Sequence, residues 1–370
     1  MLYILIFCVI VIFFVFFSSS LRKGNEIKTK NNYIKTICLI FVLFSGLRNL
    51  GVGEDTYAYY IGYENTKSIS WKQLVGMLTN FYNTVDRKDI GYTVFEKITQ
   101  IFTNNFQIYL FLVAIIFYIS FYNFLKNNTN KITEAFLAII IFYVLFFYVF
   151  SITSIRQSLA LAATFYCYEL IKKRKLLLFL CVLLLTSLIH KSVLIFIPFY
   201  FLCNIKNTKW IFPTTLLIFP LIMVFKNQLT FFLLGFGGYE EYKEFDGSGT
   251  INFTIIFLMV CIFTLYRKKV LLKQDANNIH YYNAMACALV LLPLSWINPA
   301  LLRITMYFSI YMILLIPKAI NSLNKIPFKG RREIVGWAVI VLFILFIRTN
   351  YTKEYRFYWE PIKLGENYNE

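Results

Sequence analysis

Charge is what this sequence has least of: 15% of its 370 residues are Asp, Glu, Lys or Arg, while 59% belong to the hydrophobic set. Soluble domains carry about a quarter charged residues, so a water-soluble globule of this length is excluded. Histidine occurs twice, at His190 and His280. The seven cysteines (Cys8, Cys38, Cys167, Cys181, Cys203, Cys261 and Cys287) lie in or at the ends of apolar runs, with no pair at a metal-binding spacing. They read as small core hydrophobes, and no disulfide, zinc, haem or other cofactor is expected. The first residues lack a basic stretch and a small-residue cleavage signal, so residues 1–19 read as an uncleaved first span, not a signal peptide.

What the sequence has instead is long apolar runs, with 40 Phe and 27 Tyr among them. Crossing a bilayer takes about 20 mostly apolar residues in a helix, because roughly 30 Å of hydrocarbon offers no partner to backbone polar groups. Twelve candidates emerge: 2–19, 34–50, 106–125, 134–153, 155–171, 176–189, 192–204, 210–226, 251–267, 281–298, 302–320 and 334–348. The runs are continuous, not alternating, which selects helices over a barrel. The expected fold is therefore all-α: a polytopic integral membrane bundle of about twelve spans, forming one transmembrane domain over residues 1–370.

A net charge of +18 raises the question of nucleic acid, and the placement of the charge answers it. Taking alternate loops as cytoplasmic assigns to them 22 of the 37 basic residues but 5 of the 19 acidic ones, nearly the whole net charge. That is the positive-inside pattern, and it puts both termini outside in a plasma (inner) membrane protein. The basic excess serves topology and anionic headgroups, not nucleic acid.

The cytoplasmic connections are too short for a domain, so the soluble mass is external. Residues 51–105 carry two apolar stripes at helical spacing: Trp71, Leu74, Val75, Leu78, Phe81 and Tyr82, then Val94, Phe95, Ile98, Ile101 and Phe102. Such amphipathic helices lie on the outer membrane surface or pack against the bundle, and either placement shapes a groove at headgroup depth. A second external loop, 227–250, runs from Gly235, Gly237 and Gly238 into Glu240, Glu241, Glu244 and Asp246, as a mobile lid or a plain surface loop. The tail, 349–370, offers Tyr355, Phe357, Tyr358, Trp359 and Pro361 as interfacial anchors.

Chemistry concentrates at the outer ends of the spans. Arg48 closes the second span, and Gly51, Gly53 and Asp55 follow, combining close backbone approach, a guanidinium fork and a carboxylate. This suits a phosphate-bearing sugar, although a span-end arginine also serves as an anchor. Arg156 and Gln157 sit in a turn so tight that it must lie near the bilayer, where an unpaired charge costs several kcal/mol. Arg156 also opens a helix whose free N–H groups favour an anion, the structural alternative being an ion pair with Asp55 or Asp89. His190 occupies another tight external turn, as a general base or as a hydrogen-bonded turn residue. Asp89 and Tyr92 belong to a charged turn that either contacts sugar hydroxyls or caps a helix. Arg303, with Tyr307 one turn on, is a third arginine at an external helix start, and three of them suggest a diphosphate clamp.

Taken in order, Gly46-Leu47-Arg48 with Gly51-x-Gly53-x-Asp55, Asp89-x-Gly91-Tyr92, Ile155-Arg156-Gln157-Ser158-Leu159-Ala160, His190-Lys191-Ser192 and Arg303-x-x-x-Tyr307-Phe308 resemble the EpsG family of Wzy-like polysaccharide polymerases. The likeness covers most of the chain, and it departs from the family at Asp89, where an acidic residue and proline would be more familiar. The resemblance implies a membrane glycosyltransferase that joins polyprenyl-diphosphate-linked oligosaccharide units for exopolysaccharide, capsule or O-antigen. It implies that Arg48, Arg156 and Arg303 hold the donor and acceptor diphosphates, with Gln157, Asp89, Tyr92 and Tyr307 as further substrate contacts. Asp55 or His190 would take the acceptor proton, without a metal. Expected partners are the lipid-linked donor and acceptor, membrane lipid, a chain-length regulator and a flippase. The competing class is a lipid-linked oligosaccharide flippase or other transporter, which would place charges along the span interiors. Here they gather at the rim.

Overall fold

The computed structural model describes residues 2–20, 25–79, 90–205, 211–225, 250–296, 301–323 and 353–363, with a few scattered positions between them. Among these residues the regular structure is helical, and one isolated bridge, Arg48 with Phe357, replaces any sheet. Contacts divide the chain into two compact units: Met1–Leu194 with Trp337–Glu370, and Ile195–Gly336.

The first unit begins with α1 (Leu2–Ser20) and α2 (Glu26–Gly46). Asn25 caps α2, its side chain accepting from the N–H of Ile27 at 2.9 Å. Three short helices follow where amphipathic pieces are expected: α3 (Thr56–Lys67), α4 (Trp71–Thr79) and α5 (Ile90–Gln100). Then come α6 (Phe106–Asn128), capped by Asn105, and α7 (Ile132–Leu145), a π-helical turn (Tyr148–Thr153), α8 (Ile155–Lys172) and α9 (Leu176–Ser187). Helix α6 packs on α2 and α8, and α1 packs on α2 and α7. An aromatic seam fills the middle: Phe41, Phe117, Phe121, Phe142 and Phe165 are all buried, with Phe121 and Phe142 ring centroids 4.3 Å apart. Between helices in lipid this packing acts through dispersion and shape, because hydrocarbon outside is as apolar as the seam. The outward faces show Leu5, Ile12, Val15, Leu39, Ile119 and Leu185 exposed, a surface suited to acyl chains.

Polar chemistry separates to the two ends of this unit. At one end the buried Lys30 ammonium donates to the carbonyls of Lys126 (2.9 Å) and Thr129 (2.5 Å), a cation on the carbonyl end of α6. Lys172 joins it, 2.7 Å from Glu169 and 3.0 Å from Asn128 Oδ1. At the other end the start of α1, the close of α2, the π turn and the tail meet. Tyr3 packs edge-on against both Tyr148 and Tyr355, and Tyr355 donates to Phe44 O at 2.6 Å. Arg48, Asp55 and Arg156 all belong to this second end.

The second unit contains a 3-10 stretch (Lys191–Phe196, shared with the boundary), α10 (Phe199–Leu202), α11 (Ile211–Val224), α12 (Ile251–Gln274), α13 (Ile279–Leu291), a 3-10 turn (Leu292–Trp296), α14 (Leu302–Ser309) and α15 (Met312–Asn321). Asn283 donates to three carbonyls at the end of α10, Leu202, Cys203 and Ile205, at 2.9 to 3.3 Å. Arg267 on α12 donates to Ser322 beyond α15.

The expected twelve full-length spans are not reached among the described residues. Two helices are long and apolar enough, α1 and α6, and α14 with α15 makes a third if the pair, bent by 41°, counts as one span. The reasons are local. Helix α2 begins in a charged turn, α7 stops at Leu145 before the π turn, and the 192–204 run splits into a 3-10 stretch and one helical turn. Likewise, the 281–298 run leaves the α-helix at Leu291. The 334–348 candidate and the 227–250 loop lie almost wholly outside the described residues.

Candidate functional site

The polar end of the first unit is built on a break in a helix. A π-helical turn, Tyr148–Thr153, precedes α8, and Ser154 between them buries its hydroxyl without making a cap hydrogen bond. Such π turns are rare, and they re-aim the chain where function needs it. Here the turn delivers Ile155, Arg156 and Gln157 as the first turn of α8, beside Arg48 at the end of α2.

Arg48 is buried, and its guanidinium already has work. It donates to the carbonyl of Ser45, to that of Ser151 at 3.3 Å, and to Thr56 Oγ1 at 3.5 Å. Its backbone pairs with the tail: Asn49 N–H donates to Arg356 O and Tyr358 N–H to Leu47 O, both at 2.9 Å. A cavity of only about 10 Å³ remains beside it, lined by Ser45, Tyr118, Ser151, Ser154 and Ser158. That is room for one water, not for a diphosphate. Arg48 therefore ties α2, the π turn and α3 together.

Arg156 is placed differently. It is half-buried, with its guanidinium 5.6 Å from the ring of Tyr59 and 5.7 Å from that of Tyr92, whose centroids are 5.8 Å apart. Two aromatic faces hold the cation. Beneath lies a residue that inspection of the sequence did not single out, Glu96 on α5. It is 2% exposed, within an aromatic cluster that includes Tyr63, Tyr92, Phe106 and Tyr109. Thr66 Oγ1 lies 2.8 Å from Glu96 Oε2 and 2.9 Å from Gly62 O. The other oxygen, Oε1, and the hydroxyls of Tyr92 and Tyr109 are buried and reach no hydrogen bond of standard geometry. Burial pushes the Glu96 carboxyl up to about 7, opposed by the hydroxyls of Thr66 and Tyr92 and by the charge of Arg156. No sequence signal marked it: Glu96 falls opposite the apolar stripe of Val94, Phe95, Ile98, Ile101 and Phe102, and of that stripe Ile98, Ile101 and Phe102 are exposed.

Asp55 starts α3 and is half-buried, accepting the Tyr59 N–H at its carbonyl. Gly53 precedes it at φ +93, where a side chain would meet Ile152 O at 2.8 Å, so glycine is required to bring this loop onto the π turn. The tail supplies a second residue absent from the sequence argument. Lys353 places Nζ 3.4 Å from the centre of the Tyr148 ring. Burial lowers its ammonium to about 8, against the charge of Glu54. Tyr355 is docked rather than anchoring in lipid, while Tyr358 and Trp359 remain exposed.

His190 lies at the same end. Gly91 N–H donates to Leu188 O at 2.9 Å, and Ile189 packs on the Tyr92 cluster, so the α9 turn abuts the start of α5. Gln157 is buried next to Arg156. Asp89 lies outside the described residues. Arg303 opens α14 in the second unit, half-buried, with Tyr307 fully buried one turn on. The first unit thus brings together Arg48, Asp55, Tyr92, Arg156, Gln157 and His190.

A family model described as the EpsG family matches residues 31–362, nearly the whole chain. The chain belongs to the EpsG family. EpsG proteins are Wzy-like polymerases, so a membrane protein of polysaccharide biosynthesis is established at that level. Comparison with curated proteins and with solved structures returned no match.

Proposed function

We propose that this EpsG protein is a polysaccharide polymerase at the outer face of the plasma membrane, a glycosyltransferase that joins polyprenyl-diphosphate-linked oligosaccharide units. The observation that carries this reading is Arg156: a half-exposed guanidinium in the first turn of α8, held on two tyrosine rings above a buried carboxyl. The helix N-terminus and the fork together suit a diphosphate.

In the reaction, a hydroxyl of the acceptor sugar attacks the anomeric carbon of the donor glycan. The bond from that carbon to the diphosphate oxygen breaks, and the departing oxygen gains negative charge. Arg156 offsets that charge as it forms, a contribution that grows toward the transition state. The acceptor proton passes to Asp55 or His190. Arg48 is assigned to support, since its donors already serve Ser45, Ser151 and Thr56. No metal is required.

Incubating the purified protein with a synthetic polyprenyl-diphosphate repeat unit, chelator present, tests the reading. Wild-type protein should elongate the unit, and Arg156→Ala should fold yet leave single units on lipid. Arg156→Lys should fail as well, because an ammonium cannot reproduce the fork. Wild-type chain lengths from Arg156→Ala would remove Arg156 from the reaction, and translocation in vesicles without elongation would make the protein a flippase.

A further inference from the structure

The single acid of α5, Glu96, is buried where α5 meets α3, and two residues join it to the site above. Tyr92, one turn back on α5, turns its ring face to the Arg156 guanidinium and buries its hydroxyl beside the Glu96 carboxyl. Arg156 is itself the cation whose charge acts on that carboxyl. The other charges around α5 are engaged or turned outward. Glu64 on α3 pairs with Lys67 at 2.6 Å, Lys97 donates to Thr66 O and Lys67 O at 3.3 and 3.2 Å, and Lys72 on α4 is exposed. Tyr59 and Tyr63 on α3 and Tyr109 on α6 complete the wall, and His190 follows α9 at the turn that abuts the start of α5.

Thr66 lets Glu96 hold either charge state without moving. Its hydroxyl oxygen lies 2.8 Å from Glu96 Oε2 and 2.9 Å from Gly62 O. With Glu96 ionised, Thr66 donates to the carboxylate. With Glu96 protonated, the acid donates to Thr66 Oγ1, and the Thr66 hydrogen turns to Gly62 O. Burial has brought the titration up to about 7, so the two states are close in energy at neutral pH and a nearby charge selects between them. Arg156 favours the ionised form. A diphosphate brought to Arg156 does the opposite, because two anions then share one cation across a poorly screened cluster, and the carboxylate is the one that discharges by protonation.

We propose that Glu96 is the internal counter-anion of Arg156, a positioning residue that orients the guanidinium before substrate arrives and takes up a proton from bulk water when a substrate diphosphate binds. The diphosphate itself rests on the polymerase reading. Glu96 does not touch the ligand; it acts through Arg156 and through Tyr92 beneath it. Once Glu96 is neutral, the full charge of Arg156 faces the leaving group, where the reaction develops its negative charge. Coupling of this kind is reciprocal: if the diphosphate favours the protonated acid, the protonated acid favours the diphosphate. Affinity is therefore level on the acid side of the Glu96 titration and falls as pH rises through it.

The test uses full-length protein in nanodiscs of neutral lipid, titrated calorimetrically with farnesyl-diphosphate-linked glucose. Both phosphates of this probe are esterified, so its own charge stays constant from pH 6 to 9. Wild-type affinity should be level below pH 6.5 and fall about fivefold or more by pH 8.5. At pH 7.5, titrations in HEPES and in Tris, which differ in ionisation enthalpy, should read net proton uptake on binding. Glu96→Gln keeps the neutral hydrogen bonds, so it should bind with the acid-side affinity of the wild type at every pH and take up no proton. A wild-type affinity that stays level to pH 8.5, or proton uptake that Glu96→Gln retains, would overturn the proposal. Uptake lost in His190→Gln alone would overturn it too and assign the proton to that residue, since histidines titrate in the same window. Wild-type protein that binds with proton uptake yet never elongates would sink the polymerase reading and leave the counter-anion standing, and elongation with pH-independent affinity would do the reverse.

Discussion

Replacing Glu96 by Gln should stabilise this protein at neutral and alkaline pH and leave it nearly unchanged in acid. The carboxyl is 2% exposed and titrates near 7 rather than at its ordinary 4.5, so the folded protein holds its proton more tightly than the unfolded chain does. A raised carboxyl gives stability that is complete below 4.5, declines as pH climbs to 7, and is flat above. At 1.36 kcal/mol per unit, the shift corresponds to about 3 kcal/mol of lost stability at pH 8. The hydroxyls of Thr66 and Tyr92 oppose that shift without cancelling it. When Glu96 is protonated it donates to Thr66 Oγ1, whose own proton then goes to Gly62 O. Glutamine reproduces that neutral form, its amide donating to Thr66 Oγ1. Thermal melts of detergent-purified wild type and Glu96→Gln from pH 4.5 to 8.5 should therefore diverge between pH 5 and 7.5, reaching about 5 °C or more. A gap that stays constant across the range would refute the buried, late-titrating carboxyl.

The remaining expectations separate structural residues from chemical ones. Arg48→Ala should lower folded yield and melting temperature, by about 2–3 kcal/mol for the buried carbonyls left unserved, so its loss of polymer should track its loss of protein in size-exclusion profiles. Gly91→Ala would drive a Cβ into Leu188, shifting Tyr92 beneath Arg156, and should cut elongation more than expression. Gly51→Ala would collide with the carbonyl of Lys363 and free the tail, which limited proteolysis after residue 352 should register as faster cleavage. Polymer yield per folded molecule is the measurement that orders these variants against Arg156→Ala.

Helical class and membrane location were legible from the chain alone. Each rests on local chemistry: apolar runs must shed backbone polarity into helices, and charges expelled from hydrocarbon collect at the ends of those helices. The amphipathic stripes likewise announced α4 and α5 by their period. Span count was not legible, because composition marks where a helix is apolar and says little about where it breaks. A tight turn before Arg156 was legible, but its π-helical form at Tyr148–Thr153 was not, because that form depends on how the chain meets α2 and α6. Only tertiary structure divided the arginines of the first unit. Arg48 and Arg156 look alike as span-end cations, yet Arg48 faces three internal acceptors while Arg156 rests on Tyr59 and Tyr92. Only tertiary structure found Glu96 and Lys353, since their partners lie on other helices. Sequence periodicity records which face of a segment is apolar; what stands opposite that face is decided when the segments pack.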